Sequence, residues 1–240
     1  MRLGAKCFRA IPGRATLCLV ISWGASAVPA RAQVYIGRPV PHAGSVEASG
    51  GVTYSAGYDL GTVSAEETRN TGTGTGPFVL FTAESRVKPA AGLQGRLGVY
   101  LSPSASVEAG VQFARPIVSS RLSDDAESAP DVTATETLTR IVFNGSLVLH
   151  LTGMSFAGGK GIPFLLGGAG YLRELHEKNE VVETGHEYHA GAGLNVWFGQ
   201  GKHRMGLRGD FGVSRRSGGA AAADETRTGP TAGVSLAYLF

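Results

Sequence analysis

The chain has 240 residues, 36 of them glycine, with 22 basic and 19 acidic side chains and only 17% charged residues. Nowhere does it reach the roughly 18 uncharged apolar residues that a membrane-spanning helix needs. Five of the basic residues (Arg2, Lys6, Arg9, Arg14, Arg31) and none of the acids lie in residues 1–32, so the rest of the chain is net −2 and a nucleic-acid footprint built on basicity is excluded.

The first thirty residues read as a secretory leader. A basic start precedes the apolar "ATLCLVISWGASAV", and "ARA" at Ala30–Ala32 puts small residues where a signal peptidase inspects them. Cleavage is expected before Gln33, with "ASA" at Ala25–Ala27 as an earlier alternative. A mitochondrial transit peptide would space its apolar residues helically, and here they are contiguous. Cys7 and Cys18 leave with the leader, so the exported chain has no thiol and no disulfide. A short periplasmic segment, 33–44, is expected before the folded domain, 45–240.

After Gln33 the apolar period is two, the period of a strand. In "SVEASGGVTYS" (45–55), Val46, Ala48, Val52 and Tyr54 alternate with Glu47, Ser49 and Thr53. "LQGRLGVYL" (93–101) sets Leu93, Leu97, Val99 and Leu101 against Gln94, Arg96 and Tyr100. "SVEAGVQFA" (106–114) sets Val107, Ala109, Val111 and Phe113 against Glu108 and Gln112. In "TLTRIVFNGSLVLHL" (137–151), Ile141, Phe143, Leu147, Leu149 and Leu151 oppose Arg140, Asn144, Ser146 and His150. "IPFLLGGAGYLR" (162–173) is apolar on both phases, and its facing stays open. "YHAGAGLNVWF" (188–198) opposes Ala190, Ala192, Leu194, Val196 and Phe198 to Asn195 and Trp197. "RMGLRGDFGVS" (204–214) opposes Met205, Leu207, Phe211 and Val213 to Arg208 and Asp210. "AGVSLAYLF" closes the chain with Val234, Leu236, Tyr238 and Phe240 on one face. Eight strands follow.

Their connections alternate in length. "SPSA" (102–105), "TGMSFAGGKG" (152–161) and "GQGKH" (199–203) are short; 56–92, 115–136, 174–187 and 215–229 are long and polar. In an up-and-down arrangement all long loops fall at one end, the asymmetry of outer-membrane barrels. Prolines are expected only in connections and at strand ends, Pro116, Pro163 and Pro230 among the latter. Segment 77–87 is open to three readings: a ninth strand, a hairpin inside the first loop, or an upward extension of the second strand. The even strand number of bacterial barrels favours the extension.

The polar phase holds Glu47, Arg96, Glu108, Arg140, Arg208 and Asp210, three acids and three bases, which suits a charge network in a narrow lumen. The other phase is almost free of charge over about nine residues per strand, as a tilted spanning strand requires. The chain from 45 to 240 thus resembles small eight-stranded bacterial outer-membrane barrels typified by outer-membrane proteins A, X and W. That resemblance rests on the leader, the eight alternating segments, the loop asymmetry, the terminal Phe240 and hairpin pieces such as "LGVYLSPSASVEAGVQF" (97–113) and "PFLLGGAGYLRELHE" (163–177). It implies an outer-membrane location, outer-membrane lipids as surroundings, a monomer, and recognition of Leu236, Tyr238 and Phe240 as a C-terminal signal by the barrel-assembly machinery.

Sites for chemistry are sparse. "HEYH" (186–189) does not match a zincin motif, and His186 and His189 are expected on opposite faces. No His-x-Ser pair of the lipid A deacylase kind occurs. "SDDAE" (123–127) has no His in its own loop, and "TGTGTG" (71–76) lacks the lysine of a phosphate loop. No cofactor, metal or catalytic residue is assigned. The expected fold is all-β: an eight-stranded antiparallel up-and-down transmembrane β-barrel with short periplasmic turns and long extracellular loops. Its expected role is structural or surface-interacting, with the lumen plugged by polar side chains, because eight strands enclose a space that side chains fill. A narrow channel for small solutes is the alternative, and a soluble lipocalin-like container with its apolar phase turned inward is the third reading.

Overall fold

The computed structural model describes residues 41–67, 78–176, 181–199, 203–219 and 226–240. The leader, the cleavage site, "TGTGTG" and most of "SGGAAAADE" (217–225) lie outside the described residues.

Twelve strands form two sheets. Eight of them close a barrel: β1 (Val46–Ser55), β4 (Ala90–Ser102), β5 (Ala105–Ala114), β8 (Thr139–His150), β9 (Gly161–Leu175), β10 (Val182–Phe198), β11 (Arg204–Gly218) and β12 (Thr226–Leu239). Each contains one of the alternating segments, and every neighbouring pair is antiparallel. β12 completes the ring on β1, with Val52 opposite Val234 on one side and opposite Leu93 on the other. Closure removes the free edge and pairs each wall strand on both sides, as hydrocarbon surroundings demand.

The apolar phase points outward. Leu236 is 63% exposed and Phe143 54%, in company with Leu97, Val107, Leu147, Leu165, Leu207, Phe211 and Val234. Glu47, Gln94, Glu108, Arg140, His150, Asn195, Arg208 and Ser235 are buried inside. Such an inversion has no place in a water-soluble container, whose apolar phase fills its interior. This is a transmembrane β-barrel, and the lipocalin-like reading is excluded.

β9 carries two apolar phases because its inward face changes character along its length. Ile162, Phe164 and Leu172 are buried in the lumen together with Glu174, while Leu165 and Tyr171 face out. Between them Gly168 makes room: a Cβ there would sit 2.1 Å from the Gly145 carbonyl and 2.8 Å from His189 Nε2.

The other four strands, β2 (Tyr58–Glu67), β3 (Phe78–Val87), β6 (Ile117–Ser123) and β7 (Val132–Thr137), form a second antiparallel sheet in the order β2-β3-β6-β7. Each is the chain's direct continuation of a barrel strand: β1 into β2, β3 into β4, β5 into β6, and β7 into β8. The four continuations break at one level, at Gly57, Pro89, Pro116 and Leu138. Proline withdraws a ladder donor, and Gly57 lies so close to β3 that a Cβ would meet the Val87 carbonyl at 2.4 Å. The described part of segment 77–87, Phe78–Val87, is therefore neither a ninth barrel strand nor a simple extension of the second strand, as favoured above. It leads into β4, but it is a hairpin partner of β2 within the first loop. Likewise the described residues of 56–92 and of 115–136 are largely strand. The other two long connections are shorter than expected, because β9 runs to Leu175, β10 starts at Val182, β11 reaches Gly218 and β12 starts at Thr226.

Pro163 and Pro230 fall inside strands rather than at their ends, without cost to the ladder. The Pro230 carbonyl accepts from the Ala56 amide, just beyond the last β1–β12 pair, Ser55 with Thr231. The proline nitrogen faces the same side, where no ladder bond is required. Pro163 accepts from Leu151 just beyond the pair His150–Phe164 in the same way.

Candidate functional site: the lumen

Five of the six charged positions expected inside meet in one cluster. Arg208 is 1% exposed. It donates through Nη1 to Glu108 Oε1 at 2.6 Å and through Nη2 to Glu108 Oε2 at 3.0 Å, the bidentate fork–fork geometry. Its Nη1 also lies 3.4 Å from Glu47 Oε1, and Tyr100 donates its hydroxyl to the second Glu47 oxygen at 2.7 Å. Arg96 donates to both oxygens of Asp210, at 2.7 and 3.2 Å, and to Gln94 Oε1 at 2.9 Å. Arg208 Nε to Asp210 is 3.9 Å, beyond hydrogen-bond reach. The guanidinium of Arg208 stands over the Phe164 ring, 4.5 Å from its centroid, so one face of the cation meets π-density instead of water.

Arg140 is not part of this cluster. It pairs with Glu174 (Nε to Oε1, 2.5 Å) and donates to the Tyr58 hydroxyl at 2.9 Å, so it ties β8 to β9 and to the start of the second sheet. A similar pair joins Arg216 to Glu187 across β11 and β10 at 2.5 Å. Glu174, Glu187 and Arg216 escaped the sequence reading for a definite reason. All three lie in stretches assigned to polar loops, and only strands longer than the apolar band turn them inward. Continuing the two-residue phase from Trp197 and Asn195 back to Glu187, and from Arg208 on to Arg216, would have found two of them.

Packing also creates two Ser–His contacts that no linear motif signals. Ser106 Oγ lies 3.0 Å from His150 Nε2, with the His150 ring stacked on Tyr100 at 4.8 Å. Ser146 Oγ lies 2.8 Å from His189 Nε2, reaching from β8 to β10 past Gly168. A base beside a hydroxyl is how a nucleophile is activated. The lumen cavity beside Ser146, His189, Arg96 and Asp210 measures about 40 Å³. That is space for about three waters and not for an acyl substrate. At the turn end, Tyr100, Ile162, Trp197, Ala237 and Leu239 pack into one cluster. His186 points outward and His189 inward, as expected, although both lie within β10 rather than at the end of a loop. Among the described residues no three His, Cys, Asp or Glu side chains are placed to hold a metal ion. "SDDAE" is an exposed turn in which the Glu127 amide donates to Asp125 Oδ1 at 2.7 Å.

At the end opposite the short turns His176, just past β9, links three segments. Its Nδ1 is 2.9 Å from Glu136 of β7 and its Nε2 3.4 Å from Glu183 of β10. Desolvation lowers its pKa, but the contacts with Glu183 and Glu136 outweigh that and raise it above the ordinary histidine value. A raised folded pKa means that the clamp is complete below the unfolded value of about 6.5. It is lost as pH rises through the folded one. Hydrogen exchange should therefore show β7 amides losing protection between pH 6 and pH 8.5 beyond the intrinsic rate change. His176→Gln should abolish that extra loss. Equal behaviour of the two proteins would rule the clamp out.

The fold is a closed eight-stranded antiparallel β-barrel, the architecture that the sequence resemblance implies. No protein-family model and no curated protein sequence matches the chain. Among solved structures, the crystal structure of the outer membrane protein OprG from Pseudomonas aeruginosa is similar with a TM-score of 0.49 at 10% identity, covering 85% of this chain and 98% of that one.

Proposed function

We propose that this protein is an integral outer-membrane barrel, exported through a cleaved leader, whose lumen is closed by ion pairs and whose function lies in the envelope and at the cell surface, not in catalysis. The Arg208–Glu108–Glu47 knot carries this reading, because it fills the middle of the lumen with buried, oppositely charged groups held in contact. The Arg96–Asp210 pair beside it, and the apolar cluster of Tyr100 and Trp197 at the turn end, support the same plug.

Contact with the outside falls to the four-stranded sheet. By register one of its faces carries Val63, Phe81, Ala83, Leu122, Val132 and Ala134, and the other Thr62, Glu84, Arg86, Arg121 and Thr133. Tyr58 and Glu136, at the base of the apolar face, reach Arg140 and His176, so that face leans in over the mouth. Leu236, Tyr238 and Phe240 would serve assembly as the C-terminal signal. Their placement suits this role: Tyr238 and Phe240 pack edge to face at 4.7 Å on the outer wall, where the aromatic girdle of a barrel stands.

The test is electrical. Purified folded barrel in planar bilayers is expected to give no unitary conductance steps in the wild type. Regular steps that persist after stringent purification would replace the plug with a narrow channel.

A further inference from the structure

The lipid-facing wall changes character at one height. On β9 to β12 the outward positions Leu165, Leu207, Phe211, Val213, Val234 and Leu236 are apolar and exposed. The first charged outward residues are Arg173 on β9 and Arg215 on β11, with His186 between them on β10. No acid among the described residues shares that outward arc. Arg173 and Arg215 are exposed and enter no ion pair with a described residue. From Met205 to Arg215 the chain rises ten residues, about 33 Å along the strand and about 25 Å along the axis at the tilt of a small barrel. That is the height of a barrel's apolar band, so Arg215 stands level with lipid headgroups.

At this height the wall is indented. A groove of about 320 Å³ is lined by Tyr188, Arg215, Arg216, Ser217 and Thr226. Tyr188 is directly opposite Arg215, and Ser217 opposite Thr226. The Arg216 side chain turns the other way, buried on the lumen side with Glu187. The groove therefore offers the Arg215 guanidinium, two hydroxyls and an aromatic wall, immediately above an uncharged apolar column.

We propose that this groove binds the phosphate of an acylated lipid in the outer leaflet, with Arg215 as the principal ligand. Ser217 and Thr226 donate to the phosphate oxygens, and the acyl chains run down the wall over Val213 and Phe211. Phosphate rather than carboxylate chemistry suits a site with this many converging donors. The proposal rests on the membrane reading above, and its test separates the two.

Full-length folded barrel in non-ionic detergent is mixed with phosphatidic acid or phosphatidylcholine of matched chains, and bound lipid is counted by native mass spectrometry. Phosphatidic acid is expected to be retained about tenfold better, and Arg215→Gln to remove most of that preference, about the factor expected for a charge-assisted hydrogen bond. Arg121→Gln, which removes a cation on the second sheet outside the groove, should leave it intact. The heat-modified gel mobility of each variant checks that the barrel is folded, and Ser217→Ala, a milder change, reports on the same groove should Arg215→Gln fail to fold. Equal retention of the two lipids, or full preference in Arg215→Gln, overturns the proposal. So does displacement by equimolar inorganic phosphate, which would make the groove a free-anion site. A barrel that inserts into vesicles but shows no lipid preference refutes this inference alone; one that does not insert refutes the membrane reading.

Discussion

Replacing Arg208 by alanine is expected to destabilise the barrel by about 3–5 kcal/mol, the largest single effect of any lumen substitution. The cost does not come from losing an attraction that was itself worth that much. Taking two carboxylates and a guanidinium out of water is expensive, and their mutual attraction roughly offsets the expense. Removing the cation leaves Glu108 and Glu47 buried without their counter-charge, and the desolvation penalty is then uncompensated. Urea unfolding in vesicles should show the loss as a lowered midpoint. The double variant Arg208→Ala with Glu108→Ala should fall well short of the sum of the single changes, because each removes the other's partner. Additive behaviour would mean that the two residues do not meet. Arg121→Ala, whose partner Asp131 is likewise exposed, should leave the midpoint unchanged.

The second large effect concerns the outer wall. Phe211 faces outward near the middle of the apolar band, between Met205 and Arg215. Phe211→Arg should cost about 2–4 kcal/mol, the price of a cation at mid-bilayer depth. Val63 is even more exposed, at 71%, but it stands on the second sheet beyond the band. Val63→Arg should change stability by no more than about 0.5 kcal/mol. Equilibrium unfolding of both variants in the same vesicles makes the comparison. A soluble container would tolerate both substitutions alike, so equal small effects would remove the membrane from the account, and a costly Val63→Arg would move the band upward.

The limits of the sequence reading follow from where its signal ends. Alternation is sharp where one face meets hydrocarbon and the other a polar lumen, and there it marked eight strands and the two faces of seven of them. Above the band both faces meet water or a wide mouth, so β2, β3, β6 and β7 carry too weak an alternation to be separated from polar loops. The same loss hid Glu174, Glu187 and Arg216. In β9 the opposite happened, for Ile162 and Phe164 line the lumen where polar residues were expected, and both phases read as apolar. The Ser146–His189 contact had no linear trace at all. It joins strands that are not neighbours and depends on the absence of a side chain at Gly168.

What the sequence determined by itself is the division of each strand into two faces, an uncharged one and a polar one; the outward exposure of the uncharged face then assigned it to hydrocarbon. Two-residue periodicity with one uncharged phase, repeated in seven of the eight segments, separates the two sets of side chains before any coordinates are known. Tertiary structure alone decided the pairing: Arg208 to Glu108, Arg140 to Glu174 instead of the central cluster, and the first two loops to each other as a second sheet. Partner choice depends on strand register and on which walls face across the lumen, and a period of two contains neither.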